Sequence, residues 1–159
     1  MNKEKDEAPI VLKAIARVKN DVHELGRHDW SQVLSELLFY PDYEDALDGI
    51  GEFSHIIVLF WMHRSPVWEH SMSRTHPRRR LDLPLVGVFA TCSPVRPNQL
   101  GLTVVKLLER SHNTLRVRGL DAVDGTRVVD VKPYFPPEPT ADIRVPEWVR
   151  NLSRAETEK

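Results

Sequence analysis

The run "FSHIIVLFWMH", Phe53 to His63, carries branched or aromatic residues at nearly every position of its middle. Its apolar core, Ile56 to Met62, is the longest in the chain, and its seven residues are far fewer than the ~20 that a helix needs to cross a bilayer. Such a composition favours extended backbone. The same reading applies to "IVLKAIARV" (Ile10 to Val18), "SELLFY" (Ser35 to Tyr40), "LVGVFAT" (Leu85 to Thr91), "GLTVVKLLER" (Gly101 to Arg110), "TLRVRGL" (Thr114 to Leu120) and "TRVVDVK" (Thr126 to Lys132). Turn signals separate them: Asp48-Gly49, a Pro-Asn loop, His112-Asn113 and Asp124-Gly125. Two short helices are predicted, one from Pro41 through "DYEDAL" and one over "PEWVRNL" from Pro146. With so few helices to cover a sheet, closure removes its edges, so the sequence predicts an all-β fold. That fold is a single closed or nearly closed barrel with an extended proline-rich segment, "PYFPPEPTADIRVP", Pro133 to Pro146.

Composition bounds the function. The 159 residues suffice for one core, and 41% hydrophobic content is that of a folded chain. The charged start "MNKEKDEAPI" lacks the apolar stretch of a secretion signal, and a lone cysteine leaves no internal disulfide. Both fit a cytoplasmic protein with no membrane partner. A net charge of -1 means that any polyanion contact must come from a local patch. The stretch Arg74 to Arg80 supplies one, with four arginines and a histidine in seven residues. A solvated loop explains it equally well. Arg116 and Arg118 would enlarge the patch if the fold gathers them.

The usual catalytic signatures are missing. His55 and His63 share a strand parity, but eight residues of strand separate them by ~26 Å, too far to share a metal ion. No carboxylate or cysteine stands at a familiar ligand spacing, so no metal site is predicted. Ser54, Ser93 and Cys92 sit in no nucleophile elbow. "DGIGEF" precedes a strand, whereas a dinucleotide fold places its glycines after one. What remains is "GVFATCSPVRPNQLGL", Gly87 to Leu102, a stiff and polar loop between two apolar runs. Prolines fix such a backbone before any ligand arrives and lower the cost of ordering it.

Here the motifs accumulate. "GIGEFSH" (Gly49 to His55), "HPRRRLDLPLVGVFATCSPVRPNQLGLTVVKLLE" and "GLDAVDGTRVVDVKPY" occur in one order and closely resemble the TsaA-like, TrmO-type family of tRNA methyltransferases. The resemblance runs from about Val11 to Tyr134 and matches the short form of the family. It implies a β-barrel methyltransferase domain over residues 8–140, followed by a C-terminal helix and tail over 141–159. It further implies S-adenosylmethionine as cofactor, tRNA as partner, and a homodimer with the cofactor at or near the interface. The implied reaction is methylation of the exocyclic nitrogen of threonylcarbamoyladenosine beside the anticodon. The alternative is an S-adenosylmethionine-binding barrel that is non-catalytic or serves another small acceptor.

Carried over by position, the resemblance implies cofactor contacts at His63 and Arg64, at Leu102, and on the turn Asp124, Gly125 and Thr126. The turn's amides and carboxylate suit the polar edges of the cofactor. Trp30, in "GRHDWSQ", is a candidate for stacking on adenine, and an ordinary packing role fits it as well. Cys92 stands where the family has arginine, Gln99 replaces the proline of "RPNP", and Arg127 the proline of "DGTP". Asn98 is the candidate catalytic group, since a neutral amide can accept a hydrogen bond from the reacting N–H and direct its lone pair. Arg78, Arg79, Arg96 and Lys132 are candidates for RNA phosphates, and Tyr134 for a splayed base.

Overall fold

The computed structural model describes residues 9–26, 28–137 and 143–151. Among them, six strands close into a barrel: β1 (Ala16–Lys19), β2 (Leu34–Phe39), β3 (His55–Trp61), β6 (Leu100–Ser111), β7 (Thr114–Arg118) and β8 (Arg127–Pro133), in the spatial order β1-β2-β7-β6-β3-β8. Two further strands, β4 (Arg74–Thr75) and β5 (Val86–Gly87), form a separate two-stranded ribbon. The all-β barrel predicted from the sequence is the fold observed.

Alternation sets which side chains fill the barrel. Ala16 and Val18 of β1, Leu37 and Phe39 of β2, Ile56, Val58 and Phe60 of β3, and Leu115 and Val117 of β7 all point inward and are buried. Antiparallel register lays Ala16 against Phe39 and Val18 against Leu37. Two bulges bend the wall, one between Leu59 and Phe60 against β8 and one between Leu107 and Glu109 against β7. The His112-Asn113 turn joins β6 to β7 with His112 at φ 51°. The Asn113 side chain donates to Phe39 O at 2.6 Å, tying the hairpin tip to the end of β2.

Two local expectations are corrected. "DYEDAL" makes two successive 3-10 turns, Pro41–Tyr43 and Asp45–Leu47, not an α-helix. Arg110 takes part in holding them open, its guanidinium bonding Asp48 at 2.8 Å and Glu44 O at 3.3 Å. "LVGVFAT" is no barrel strand. Only Val86–Gly87 pairs, with β4, and Val88–Ala90 turns away as a 3-10 element. The helix predicted from Pro146 is present over 147–151, while 138–142 of the proline-rich segment, the tail 152–159 and the N-terminal residues 1–8 lie outside the described residues.

The chain forms two compact units. The first holds residues up to His63 with Gly101–Tyr134, and contains the barrel. The second holds Arg64–Leu100 with the chain from Phe135 onward, and contains the β4–β5 ribbon. Among the described residues no helix is long and apolar enough to cross a membrane.

Candidate functional site

The barrel unit carries His63, Leu102, Asp124, Gly125, Thr126, Trp30, Lys132 and Tyr134 of the candidate set. His63 follows β3 and is exposed, its N–H closing onto Trp61 O at 2.8 Å. Leu102 faces outward from β6 at 65% exposure. Trp30 opens a 3-10 turn capped by the Asp29 carboxylate and meets the ring of His28 edge-on at 5.0 Å. Lys132 is exposed and paired with Asp130 at 2.7 Å. The Tyr134 N–H donates to His55 O at 3.2 Å, so "KPY" is seated on β3.

The Asp124-Gly125-Thr126 turn is built into the barrel wall. Gly125 N donates to Val18 O at 2.9 Å, Val18 N to Thr126 O at 2.8 Å, and Asp124 N to Val22 O at 2.7 Å. Thr126 N donates to Val123 O at 3.2 Å, and the residue is 2% exposed. All three amides of the turn are therefore engaged inside the unit, and its reach toward a ligand falls to the Asp124 carboxylate. That carboxylate accepts from Asn20 N at 3.2 Å and lies 3.8 Å from His23.

Asn20 is the residue that sequence reasoning missed. Its side-chain amide donates to Ser35 Oγ and to Ala122 O, both at 2.9 Å, and its Oδ1 accepts from Val22 N at 3.0 Å. One side chain so joins β2, the approach to the 124–126 turn and the chain leaving β1. The only signal was an asparagine ending a strand, which ordinarily marks a turn.

The second unit carries Arg64, Arg78, Arg79, Cys92, Arg96 and Asn98. Its excursion 64–100 holds six arginines against Glu69 and Asp82, a net +4 in a chain whose total is -1. The ribbon's loop is closed by His76, whose Nδ1 donates to Leu83 O at 2.7 Å, and by Arg74, whose guanidinium donates to Leu85 O at 3.1 Å. Arg80 pairs with Asp82 at 2.5 Å, and that hydrogen bond holds the Asp82 carboxyl below its usual range. Arg78 and Arg79 take φ of 55° and 57°. Two successive left-handed arginines are costly, which makes this loop a strained presentation of basic side chains.

In the Pro-Asn loop, Cys92 is exposed, and Arg96 straddles it by donating Nη1 to Thr91 O at 3.4 Å and to Ser93 O at 3.3 Å. Asn98 is exposed, and its carbonyl accepts from Leu100 N at 2.7 Å, a tight three-residue turn that leads into β6. Among the described residues no group of three or more His, Cys, Asp or Glu side chains is placed to hold a metal ion.

Comparison with known proteins bears on the family and the fold. Residues 26–139 match the family model described as the tRNA-methyltransferase O N-terminal domain. A probable S-adenosyl-L-methionine-binding protein of Methanothermobacter thermautotrophicus is 43% identical over 125 residues, which cover 79% of this chain and 85% of that protein. A tRNA (adenine(37)-N6)-methyltransferase of Mus musculus is 41% identical over 92 residues, covering 58% of this chain and 21% of that protein. The crystal structure of TrmO from Pseudomonas aeruginosa superposes with a TM-score of 0.67 at 28% identity, covering 86% of this chain. This chain spans only 61% of that crystallised chain.

Proposed function

The chain belongs to the tRNA-methyltransferase O N-terminal domain family, and from that premise we propose that it is an S-adenosylmethionine-dependent methyltransferase acting on tRNA. The observation that carries the reading is that the family match over 26–139 contains every candidate residue, from Trp30 to Tyr134. The acceptor we propose is the exocyclic nitrogen of threonylcarbamoyladenosine next to the anticodon.

The residues present fit such a cofactor. Asp124 offers a carboxylate of which a third of the side-chain surface is exposed, suited to an ammonium or a ribose hydroxyl. Leu102 offers exposed apolar surface, with His63 and Trp30 as further candidates on the same unit, and Arg64 and Cys92 are the candidates that the second unit carries. When bound, the sulfonium supplies an already activated methyl group, so the protein's task is alignment. Asn98 accepts a hydrogen bond from the acceptor N–H and directs the nitrogen lone pair, and the proton leaves to water. The net +4 of 64–100 supports Arg78, Arg79 and Arg96 as phosphate contacts, with Lys132 beside them in role. Tyr134 stacks on a base. A homodimer is supported by the outward row Leu100, Leu102, Val104 and Leu108 on β6, four apolar side chains at 37–65% exposure on one strand face.

Calorimetric titration with S-adenosylmethionine, followed by methyl transfer to tRNA carrying threonylcarbamoyladenosine, tests this. Binding and transfer are expected, and Asn98→Ala should lower turnover much more than cofactor affinity. Absence of binding overturns the reading. Binding without transfer by a well-folded protein assigns the second reading, a cofactor-binding barrel, which the name of the Methanothermobacter relative also favours.

A further inference from the structure

Gln99 is the residue of the Pro-Asn loop that reaches farthest along the chain. Its side-chain Nε2 donates to Ser65 O at 2.7 Å and to Pro66 O at 3.1 Å. Two hydrogens on one amide nitrogen thus satisfy two successive carbonyls across 33 and 34 residues of sequence. Ser65 is 9% exposed, so its carbonyl belongs to a half-dry environment in which loss of the donor costs more than at the surface. At the other end, the 98–100 turn fixes Gln99 at the centre of a three-residue loop closed by Leu100 N to Asn98 O at 2.7 Å. Both contacts adjoin residues given a role in the proposed function: Arg64 precedes Ser65, and Asn98 precedes Gln99.

We propose that Gln99 is a positioning residue, whose amide locks the 64–66 segment to the 98–100 turn so that Arg64 and Asn98 present their side chains from one rigid wall. The inference rests on the methyltransferase reading above. A free hinge between the two segments would let Asn98 wander by the order of an ångström, and misplacement by ~1 Å costs up to ~100-fold in rate. No proline at 99 can form this tie, having no side-chain donor, and a glutamate there would set a carboxylate against two carbonyl oxygens.

The test compares wild type with Gln99→Glu, Gln99→Ala and Gln99→Lys, the last keeping a donor of similar reach. Measurements are thermal midpoint, calorimetric affinity for S-adenosylmethionine, and kcat and KM for methyl transfer to the modified tRNA. The expected result is a kcat lowered about tenfold or more in Gln99→Glu and Gln99→Ala. Cofactor affinity should change less than threefold, and Gln99→Lys should recover most of the rate. If Gln99→Glu does not fold, Gln99→Ala and Gln99→Lys carry the same comparison. A thermal midpoint that falls while kcat stays at the wild-type value makes Gln99 merely structural and overturns the inference alone. Equal loss in Gln99→Lys and Gln99→Ala overturns it too. A wild type that neither binds cofactor nor transfers methyl overturns the methyltransferase reading, and this inference with it.

Discussion

Replacing Gly101 by alanine should destabilise the barrel by an amount that its surroundings set. Gly101 is buried near the start of β6, and a Cβ there would lie 2.4 Å from Cε2 and from Cζ of Phe60 and 2.9 Å from Cε1. Ordinary contacts of that atom begin at 3.4 Å, so ring and strand must part by 1.0 Å. Phe60 is 2% exposed and packed in the core, which leaves no space into which a ring can step. Overpacking of this kind costs about 1–3 kcal/mol. For a chain of this size each kcal/mol lowers the thermal midpoint by about 2–4 °C, so a fall of about 2–12 °C is expected in a circular-dichroism melt. The cause is checked by Phe60→Leu, which removes the atoms in question. The double variant should be more stable than the sum of single losses by about 0.5–3 kcal/mol. A Gly101→Ala protein that melts like wild type, or a double variant whose losses simply add, would refute the argument from packing.

Three further outcomes follow from the same geometry. Gly125→Ala, at φ 78°, should lose about 1–2 kcal/mol in urea unfolding, while Gly125→Asn should lose less because asparagine tolerates that backbone. Asn20→Ala should lose about 1–3 kcal/mol by leaving the buried Ser35 hydroxyl and the Ala122 carbonyl without their donor. Ser35→Ala added to that variant should then cost little. Asp82, whose carboxyl is held low by its hydrogen bond to Arg80, should titrate by carbon-detected NMR below the usual aspartate range. A depressed folded value stabilises above the unfolded one, so the contribution of this pair is complete there and is lost as pH falls through the lowered value. Arg80→Gln should raise the titration back toward the usual aspartate range.

Barrel strands were legible by their branched and aromatic composition, and alternation decides what they bury. "SELLFY" and "TLRVRGL" place every second residue inward, and the structure buries Ser35, Leu37 and Phe39 with Leu115 and Val117. "LVGVFAT" carried the same composition and misled, since its apolar residues do not all find a sheet: Phe89 ends 76% exposed. Composition reports what a strand tolerates and says nothing of whether a pairing partner exists. "DYEDAL" failed differently, because its turns are tied by Arg110, sixty or more residues away in sequence. The candidate site divides along the same line. The Asp124-Gly125 turn announced itself by its glycine, a local requirement. Asn20 and Gln99 act through bonds to distant carbonyls and a hydroxyl, and nothing in their local sequence named those partners.

The departure at position 92 gains a physical account from its neighbour. An arginine there would bring a positive charge to the 91–93 segment, and Cys92 brings none. Arg96, the arginine that the family motif "RPNP" also carries, remains beside it, and its Nη1 donates to the carbonyls on both sides of Cys92. At 3.3 and 3.4 Å these are long bonds, and they occupy only one of the three guanidinium nitrogens. The Nε and Nη2 hydrogens are not consumed by them, so the group keeps donors for an anion while its position is fixed by the backbone. The departure therefore takes one of two positive charges from this loop and leaves the tethered one. A guanidinium tethered at both flanks of residue 92 loses less freedom on meeting a phosphate than one on a swinging side chain would, and its reach is correspondingly shorter.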